Sequence, residues 1–468
     1  MMKNHKTQFA LIYFFLIGFC GTGFCGKIIY PWNAATAIVK AGENVTVWFN
    51  ADEGQTVTSA KLRGPCSTVS IPLVARQTGS WQYDEISGNM YNTRIAITVP
   101  AGTPQERYDL ILNTTAEQEI SHGAVKVVRE YKTDYTIMHI SDTHLCQGAK
   151  INGLPNGLFK ISAMVDIANI IGPEMVFITG DLINDNMFPP QERADLFYKG
   201  SEVNGLKGVC NFHAASFSAA GNHDFLQQSQ TSAGFYPEKS KFWNQYHGLH
   251  YHHFKYGNTR YMIVNTGWEG FDWAYQLKEH ISWLADVGPG NLRIAAYHKS
   301  ENGIMGAWAD TVNLGLAMIG HNHHLAGNNP YELGGRRIQY YANSTREHFA
   351  FNLFRIHSDG SYTAVNNREF VENPSDAPSL WRPKLKLAYA KANDGTARTN
   401  TATLINNFDV GFPNARVRFL MPKGNTYSVS KGTVEQAFDG DSMHVVDVQV
   451  AIDPNSMNTI EIYPSGYR

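Results

Sequence analysis

Two textures of apolar and polar positions divide the 468-residue chain. From residue 27 to 131, short segments alternate apolar and polar side chains, as in Val45–Phe49, Ala60–Leu62, Thr93–Val99 and Tyr108–Leu112. Turn-forming Gly, Pro, Asn and Asp separate them, and several short strands at that spacing predict an antiparallel β-sandwich. From about Tyr135 to Phe370, continuous apolar runs take over. Tyr135–Ser141, Met175–Thr179, Leu292–Tyr297 and Leu314–Ile319 read as buried strands. Between them lie helical patterns at Leu158–Ile171 and Gln276–Asp286, the second with Leu277, His280, Ile281 and Leu284 at helical spacing. Alternating strand and helix predicts a layered α/β domain. Tyr251–Thr266 reads as two strands joined by Gly257-Asn258, so the central sheet is expected to be mixed or doubled. Glu372–Pro383 carries Pro and Ser and reads as a linker. Beyond it, Ala415–Leu420, Thr426–Val429, His444–Val450 and Thr459–Ile462 alternate again and predict a second small β-sandwich.

Length agrees with this division, since a chain of this size suggests about three domains at ~150 residues each. A net charge of -2 leaves no basic surplus for non-specific nucleic-acid binding. At the N-terminus, Lys3, His5 and Lys6 precede the apolar run Phe9–Phe19 and then small residues from Cys20 to Gly26. That order is the one expected of a secretory signal over residues 1–25. The apolar run is shorter than the roughly 20 residues of a membrane span. The expectation is therefore an exported chain, periplasmic or extracellular, with no transmembrane segment. Lipid anchoring at Cys20 or Cys25 is disfavoured by the Phe before each. Without the signal, Cys66, Cys146 and Cys210 remain. An odd number implies at least one free thiol, and the spacing rules out a CxxC zinc site.

Candidate chemistry sits in five patches of the central region: Asp142-Thr143-His144, Gly180-Asp181, Gly221-Asn222-His223-Asp224, His298, and Gly320-His321-Asn322-His323. Four follow a predicted buried strand, and residues leaving neighbouring strand ends converge on one sheet edge. Strand side chains alternate with period two, so Asp-x-His and His-x-His each turn two donors to one side. Each patch alone is weak, because a DxH or a lone histidine is more often an ordinary surface or core feature. Together they offer oxygen and nitrogen donors only. Such a set suits Mn, Fe, Zn or Co. Two ions bound close together can activate water and stabilise the oxygens of an in-line displacement at phosphorus.

In order and spacing, these motifs resemble the calcineurin-like metallophosphoesterase superfamily over roughly Tyr135–Phe370. Phe254-Lys255-Tyr256-Gly257-Asn258 and the Trp283-Leu284 helix add to the likeness. The resemblance implies a four-layer α/β/β/α domain at 132–371; with the β-sandwiches that the strand pattern predicts at 27–131 and 384–468, the expectation is an α+β multidomain chain. It further implies two divalent metal ions. Asp142, His144, Asp181 and His323 would hold one; Asp181, Asn222, His298 and His321 would hold the other, with Asp181 bridging. A bridging hydroxide would be the nucleophile, His223 the general acid and Asp224 its orienting partner. Purple acid phosphatases place a metal-binding Tyr three residues after the bridging Asp; here that position is Asn184, and Asp185 falls one residue late for a G-D-x-x-D form. Arg346, in Tyr341–Arg346 after a further strand, is a candidate for the substrate phosphate, weighed against an ordinary surface salt bridge.

The function expected is metal-dependent hydrolysis of a small phosphate ester, with a phosphodiester preferred because exported chains carrying these motifs resemble cyclic-nucleotide and glycerophosphodiester hydrolases. Phosphomonoester hydrolysis is the alternative. A non-catalytic surface protein with a structural domain of this type is the alternative from another class, and the intact ligand set argues against it. For the β-sandwiches, a packing or spacer role is the simpler reading, with cell-surface or glycan contact as the rival.

Overall fold

The computed structural model describes residues 27–85, 88–148, 150–183, 190–225, 243–267, 273–300, 302–323, 329–375 and 377–466. The expected secretory signal, Asn184 and Asp185 lie outside the described residues. No helix among the described residues is long and apolar enough to cross a membrane.

The central region is doubled into two sheets. One runs Ala215–Ala219, Met175–Thr179, Tyr135–Ile140, Ala350–Ile356, Tyr362–Glu369; the first three strands are parallel and the last two are added antiparallel. The other runs His252–Tyr256, Thr259–Ile263, Leu292–Tyr297, Leu316–Ile319, Arg336–Tyr341, Tyr331–Leu333, with four parallel strands at its centre. Strict alternation explains why these runs are apolar throughout. Tyr135, Ile137, Met175 and Phe177 share a core with Tyr261, Ile263, Ile294, Leu316 and Met318 of the second sheet. The intervening Met138, Ile140, Val176 and Ile178, and Met262, Ala295 and Ala317, join the core that contains the helical side chains. A strand buried on both faces needs an apolar residue at every position.

The predicted elements appear with shifted ends. The helices run Asn156–Ile171 and Trp273–Val287, and the expected hairpin pairs His252–Tyr256 with Thr259–Ile263. Ala215–Ala219 (ASFSA) is a strand that the pattern did not announce, although every residue in it is buried. Its alternate positions are serine and alanine. Ser216 Oγ accepts from Arg107 Nη2 at 2.7 Å, so this buried hydroxyl is satisfied internally.

Residues 27–128 form two sheets whose inner side chains share one hydrophobic cluster, and residues 385–464 form two more. The C-terminal sheets are not a separate core. Val417, Phe419, Val446 and Ile460 belong to the same cluster as Ile161, Val165 and Ile170 of the helix Asn156–Ile171. That helix is therefore buried on two sides. The expected linker is instead folded back on itself. Glu372 N–H donates to Arg382 O (2.9 Å), and the Trp381 ring packs edge-on against Phe349, 4.9 Å between centroids.

One buried ionic network joins the N- and C-terminal regions. Asp447, fully buried, accepts from Arg416 Nη2 (2.5 Å) and Arg418 Nε (2.7 Å), and Arg418 also pairs with the buried Glu106. Burial opposes the Asp447 charge, but the two guanidiniums hold its carboxyl far below the usual range. Removing one partner of a buried pair strands the other charge, so Asp447→Asn should cost about 3–5 kcal/mol. Because the folded pKa is depressed, the contribution is full above the unfolded carboxyl value near ~3.9 and fades only below it. Urea titrations of wild type and variant should show a constant gap from pH 7 to about pH 4 that narrows at lower pH. A gap under about 1 kcal/mol at pH 7 would place Asp447 among ordinary surface pairs.

Candidate metal centre

Parallel strands deliver the five patches to one edge. Tyr135–Ile140, Met175–Thr179 and the unannounced Ala215–Ala219 end just before Asp142, Asp181 and Asn222, and Leu292–Tyr297 and Leu316–Ile319 end just before His298 and His321. Gathering donors this tightly bends the backbone. Asp142, His144, Asp181 and His321 all have positive φ, between 40° and 70°. Such conformations are unfavourable for residues with side chains and concentrate at functional sites. The glycines of the patches permit the approach. A Cβ on Gly180, at φ 84°, would lie 2.5 Å from His298 Nδ1, and one on Gly221 would lie 2.0 Å from Asp181 N.

The structure brings the seven proposed ligands together. Asp142, His144, Asp181 and His323 present ligand atoms within 4.8 Å of one another, and Asp181, His298 and His321 do the same. Asp181 is common to both groups. Asn222 joins the second through its Oδ1, 3.1 Å from His298 Nε2. Several potential ligand atoms crowded around one space are the sign of a cation cradle. Asp181 Oδ2 and Asp142 Oδ1 are buried and accept no hydrogen bond, though His298 Nε2 is 3.3 Å from the first and His323 Nε2 is 3.2 Å from the second. His144 Nε2 and His323 Nε2 lie 3.1 Å apart. These residues fit divalent ions: the donors are hard or borderline, converge on two points, and leave buried carboxylate oxygens for a cation to satisfy.

Electrostatics follow from that convergence. Burial opposes the Asp181 charge, yet His298, His144 and the His223 N–H hold its carboxyl well below the ordinary range. Burial lowers His144 to about 4, despite the Asp181 and Asp142 carboxylates. The Asp142 and Glu347 carboxylates beside its ring push His323 up to about 10. His298 rises to about 9, the attraction of Asp181 exceeding the effect of burial.

The remaining candidate residues lie around these two groups. The Asp224 carboxylate is taken up by backbone: Oδ1 accepts from Leu182 N (2.8 Å) and Ile183 N (3.0 Å), and Oδ2 accepts from Gly221 N (2.8 Å). It stitches the loop after Asp181 to the loop before Asn222, and among the described hydrogen bonds none joins it to His223. His223 is half-buried; its ring centroid is 5.3 Å from that of His144, and its backbone N–H donates to Asp181 Oδ1 at 2.8 Å. Arg346 Nη1 is paired with Glu347 Oε1 at 2.9 Å. Its backbone N–H donates to Asp142 O, and its carbonyl accepts from Lys160 Nζ. Cys146 is buried but belongs to neither ligand group.

Glu347 went unnoticed in the sequence. Its two oxygens each lie 3.2 Å from His323 Nδ1, so it fixes the ring whose Nε2 faces the site. The signal was present as Ser344-x-x-Glu347, a helix-start spacing, and Ser344 Oγ accepts from Glu347 N at 3.3 Å. His298 is fixed in the same way, with Nδ1 2.7 Å from the Thr179 carbonyl.

Residues 135–325 match the family model for calcineurin-like phosphoesterase, so the chain carries a domain of that type over that span. Metal-dependent hydrolysis of a phosphate ester is the activity this family indicates. No curated protein matches the chain. Among solved structures, an amylomaltase from Corynebacterium glutamicum aligns at 10% identity and TM-score 0.16 over 31% of this chain, which spans only 20% of that protein. A protein from Bacteroides fragilis described as an α-galactosidase/melibiase aligns at 8% identity and TM-score 0.21, over 92% of this chain and 99% of its own. Overlaps that poor bear on neither fold nor function.

A carboxylate behind a ligating imidazole typically sustains metal affinity by 10–100-fold. Glu347→Gln should weaken metal binding by about that factor, while Asp359→Asn, remote from the patches, should not. Competition with a chelator, read by metal analysis of the recovered protein, measures it. Unchanged affinity would mean that Glu347 serves only the local fold.

Proposed function

We propose that this chain is an exported phosphodiesterase whose 132–371 domain, a four-layer α/β/β/α unit between β-sandwiches at 27–131 and 384–468, works with two divalent metal ions. The observation that carries the reading is the shared position of Asp181, buried between two groups of ligands with one oxygen lacking any hydrogen-bonding partner. Asp142, His144, Asp181 and His323 would hold one ion and Asp181, Asn222, His298 and His321 the other. Export is supported by Lys3 and Lys6 ahead of Phe9–Phe19. The diester preference rests on the motif resemblance.

When bound, such a pair of ions supplies Lewis-acid polarisation of the phosphoryl oxygens and an activated water. The chain's own residues supply the remainder. Asp142, Asp181 and the histidines would hold the cations, and the left-handed turns keep these side chains in place before substrate arrives, so little reorganisation is left for the reaction. Half-exposed His223, beside His144, would give a proton to the departing alkoxide. Asp224 acts at one remove: it locks the two loops that carry Asp181 and Asn222. Arg346 would meet the phosphate only by leaving Glu347.

The full chain loaded with Mn should hydrolyse bis(nitrophenyl) phosphate faster than nitrophenyl phosphate, and Asp181→Asn should abolish both activities and lower bound metal. Faster monoester turnover would make the protein a phosphomonoesterase. An active Asp181→Asn protein that retains its metal would sink the two-ion assignment.

A general acid contributes roughly 10²–10⁴ in rate, most where the leaving group is poor. His223→Ala should keep its metal but lose activity steeply on alkyl phosphate esters and far less on nitrophenyl esters, since nitrophenolate departs without a proton. Equal losses on both would assign His223 to metal or substrate binding instead.

A further inference from the structure

A second cavity, of about 420 Å³, lies on the seam between the N-terminal sheets and the central region. None of the seven proposed metal ligands lines it. Its walls are aromatic: Trp48 and Tyr83 come from the N-terminal side, and Tyr251 and Tyr275 from the central side. All four are half-buried, so each keeps ring surface toward the cavity. Half-exposed aromatic rings gathered at one concave seam are what a ligand site offers, because the rings contribute large area at small cost in side-chain freedom.

The charges around the cavity have one sign. Glu85 and Glu279 line it, as does Asp84, and no lysine or arginine does among the described residues. Asp84 is fully committed to the protein: it accepts from Asn244 Nδ2 at 2.8 Å and faces His250 Nε2 at 3.2 Å. Glu85 is exposed, and half-buried Glu279 meets the Tyr275 hydroxyl at the cavity edge, so both place negative charge beside the rings. The two lining histidines bring no opposing charge, since burial lowers His252 to about 3 and His253 to about 4. Burial also keeps the Tyr83 and Tyr251 hydroxyls protonated.

We infer that this seam cavity is a binding site for a small organic cation, an alkylammonium that sets its charge against Trp48, Tyr83, Tyr251 and Tyr275 with Glu279 and Glu85 at its edge. Aromatic faces attract a cation through the ring quadrupole, and neighbouring carboxylates add to that attraction. An anion is repelled by the same carboxylates. A neutral sugar could use the rings but gains nothing from the one-signed charge. The site is independent of the metal-centre reading, because it shares no residue with it.

The probes are choline, its uncharged isostere 3,3-dimethylbutan-1-ol, and glucose, titrated calorimetrically into the full chain with and without prior chelation of metal. Choline should bind about tenfold or more tightly than the isostere, and chelation should leave its affinity unchanged. Glu279→Gln and Tyr275→Leu should each weaken choline by about threefold or more while leaving phosphoesterase activity intact. Binding of the isostere as tightly as choline would overturn the proposal, as would a preference for glucose or no heat with any probe. Should either variant misfold, the comparison of choline with its isostere on the unaltered chain still decides.

Discussion

The structure is organised around a carboxylate that must remain charged while buried. Asp181 sits where two groups of ligands meet, and water cannot reach it to stabilise its charge. Imidazoles on two sides and a backbone N–H from His223 do that instead. Their placement sets everything nearby. Gly180 and Gly221 are glycines because a side chain at either would strike His298 or Asp181 itself. Asp142, His144, Asp181 and His321 accept unfavourable backbone geometry because extended loops would carry their side chains past the meeting point. Asp224 answers the same need from behind, since three backbone donors would otherwise leave the adjoining loops free to part. Burial and the charge of Asp181 raise its carboxyl to about 8, a penalty that the loops bear in return for a fixed centre.

Rigidity at the edge depends on what lies behind the sheets. The helix Asn156–Ile171 packs against the first sheet and against the C-terminal strands at once, in one continuous core. Its one buried lysine, Lys160, reaches the Arg346 carbonyl, and Arg346 N–H in turn holds the Asp142 carbonyl. A chain of polar contacts thus runs from a helix wedged between two regions to a proposed ligand. Cutting the protein at its apparent boundaries would expose Ile161, Val165 and Ile170 on one side and Val417 and Phe419 on the other. The flanking sheets therefore support the centre, even though none of their residues is among the ligands.

What could be read from the sequence follows from how strongly burial constrains each element. Strands apolar at every position announced themselves because both their faces lie in cores. The strand Ala215–Ala219 did not, because its buried positions are filled by Ala and Ser as well as Phe217, and an arginine from another region satisfies the Ser216 hydroxyl. The clustering of the seven candidate ligands was legible because converging Asp, His and Asn side chains after buried strands serve no packing purpose. The backbone partners of Asp224 were not legible, because a sequence does not distinguish a carboxyl facing a histidine from one facing three backbone amides. Glu347 was hidden by distance in the chain, 24 residues beyond the ring it orients. The packing of the connecting segment was not legible, because Pro and Ser mark turns whether or not the turns pack, and Trp381 makes this one pack.

The N-terminal region reaches toward the centre by a different route. Asp84, at the end of the strand Leu73–Asp84, faces His250, whose Nδ1 lies 3.2 Å from Asn265 Nδ2. Asn265 is clamped to Gln276 through both its N–H and its carbonyl, and the next residue, Thr266, accepts from His298 N and Lys299 N. Each link is buried, so each polar atom left without its partner would carry a desolvation cost of about 1–3 kcal/mol. Position is therefore specified cooperatively along the path: His298 is fixed by Thr266, Thr266 by the clamp at Asn265, and the clamp by a carboxylate from a separate pair of sheets. The same Asp84 closes one wall of the seam cavity. A residue that serves both the cavity and the strand end before His298 makes the N-terminal region part of the architecture of the centre, where a spacer would have ended at the seam.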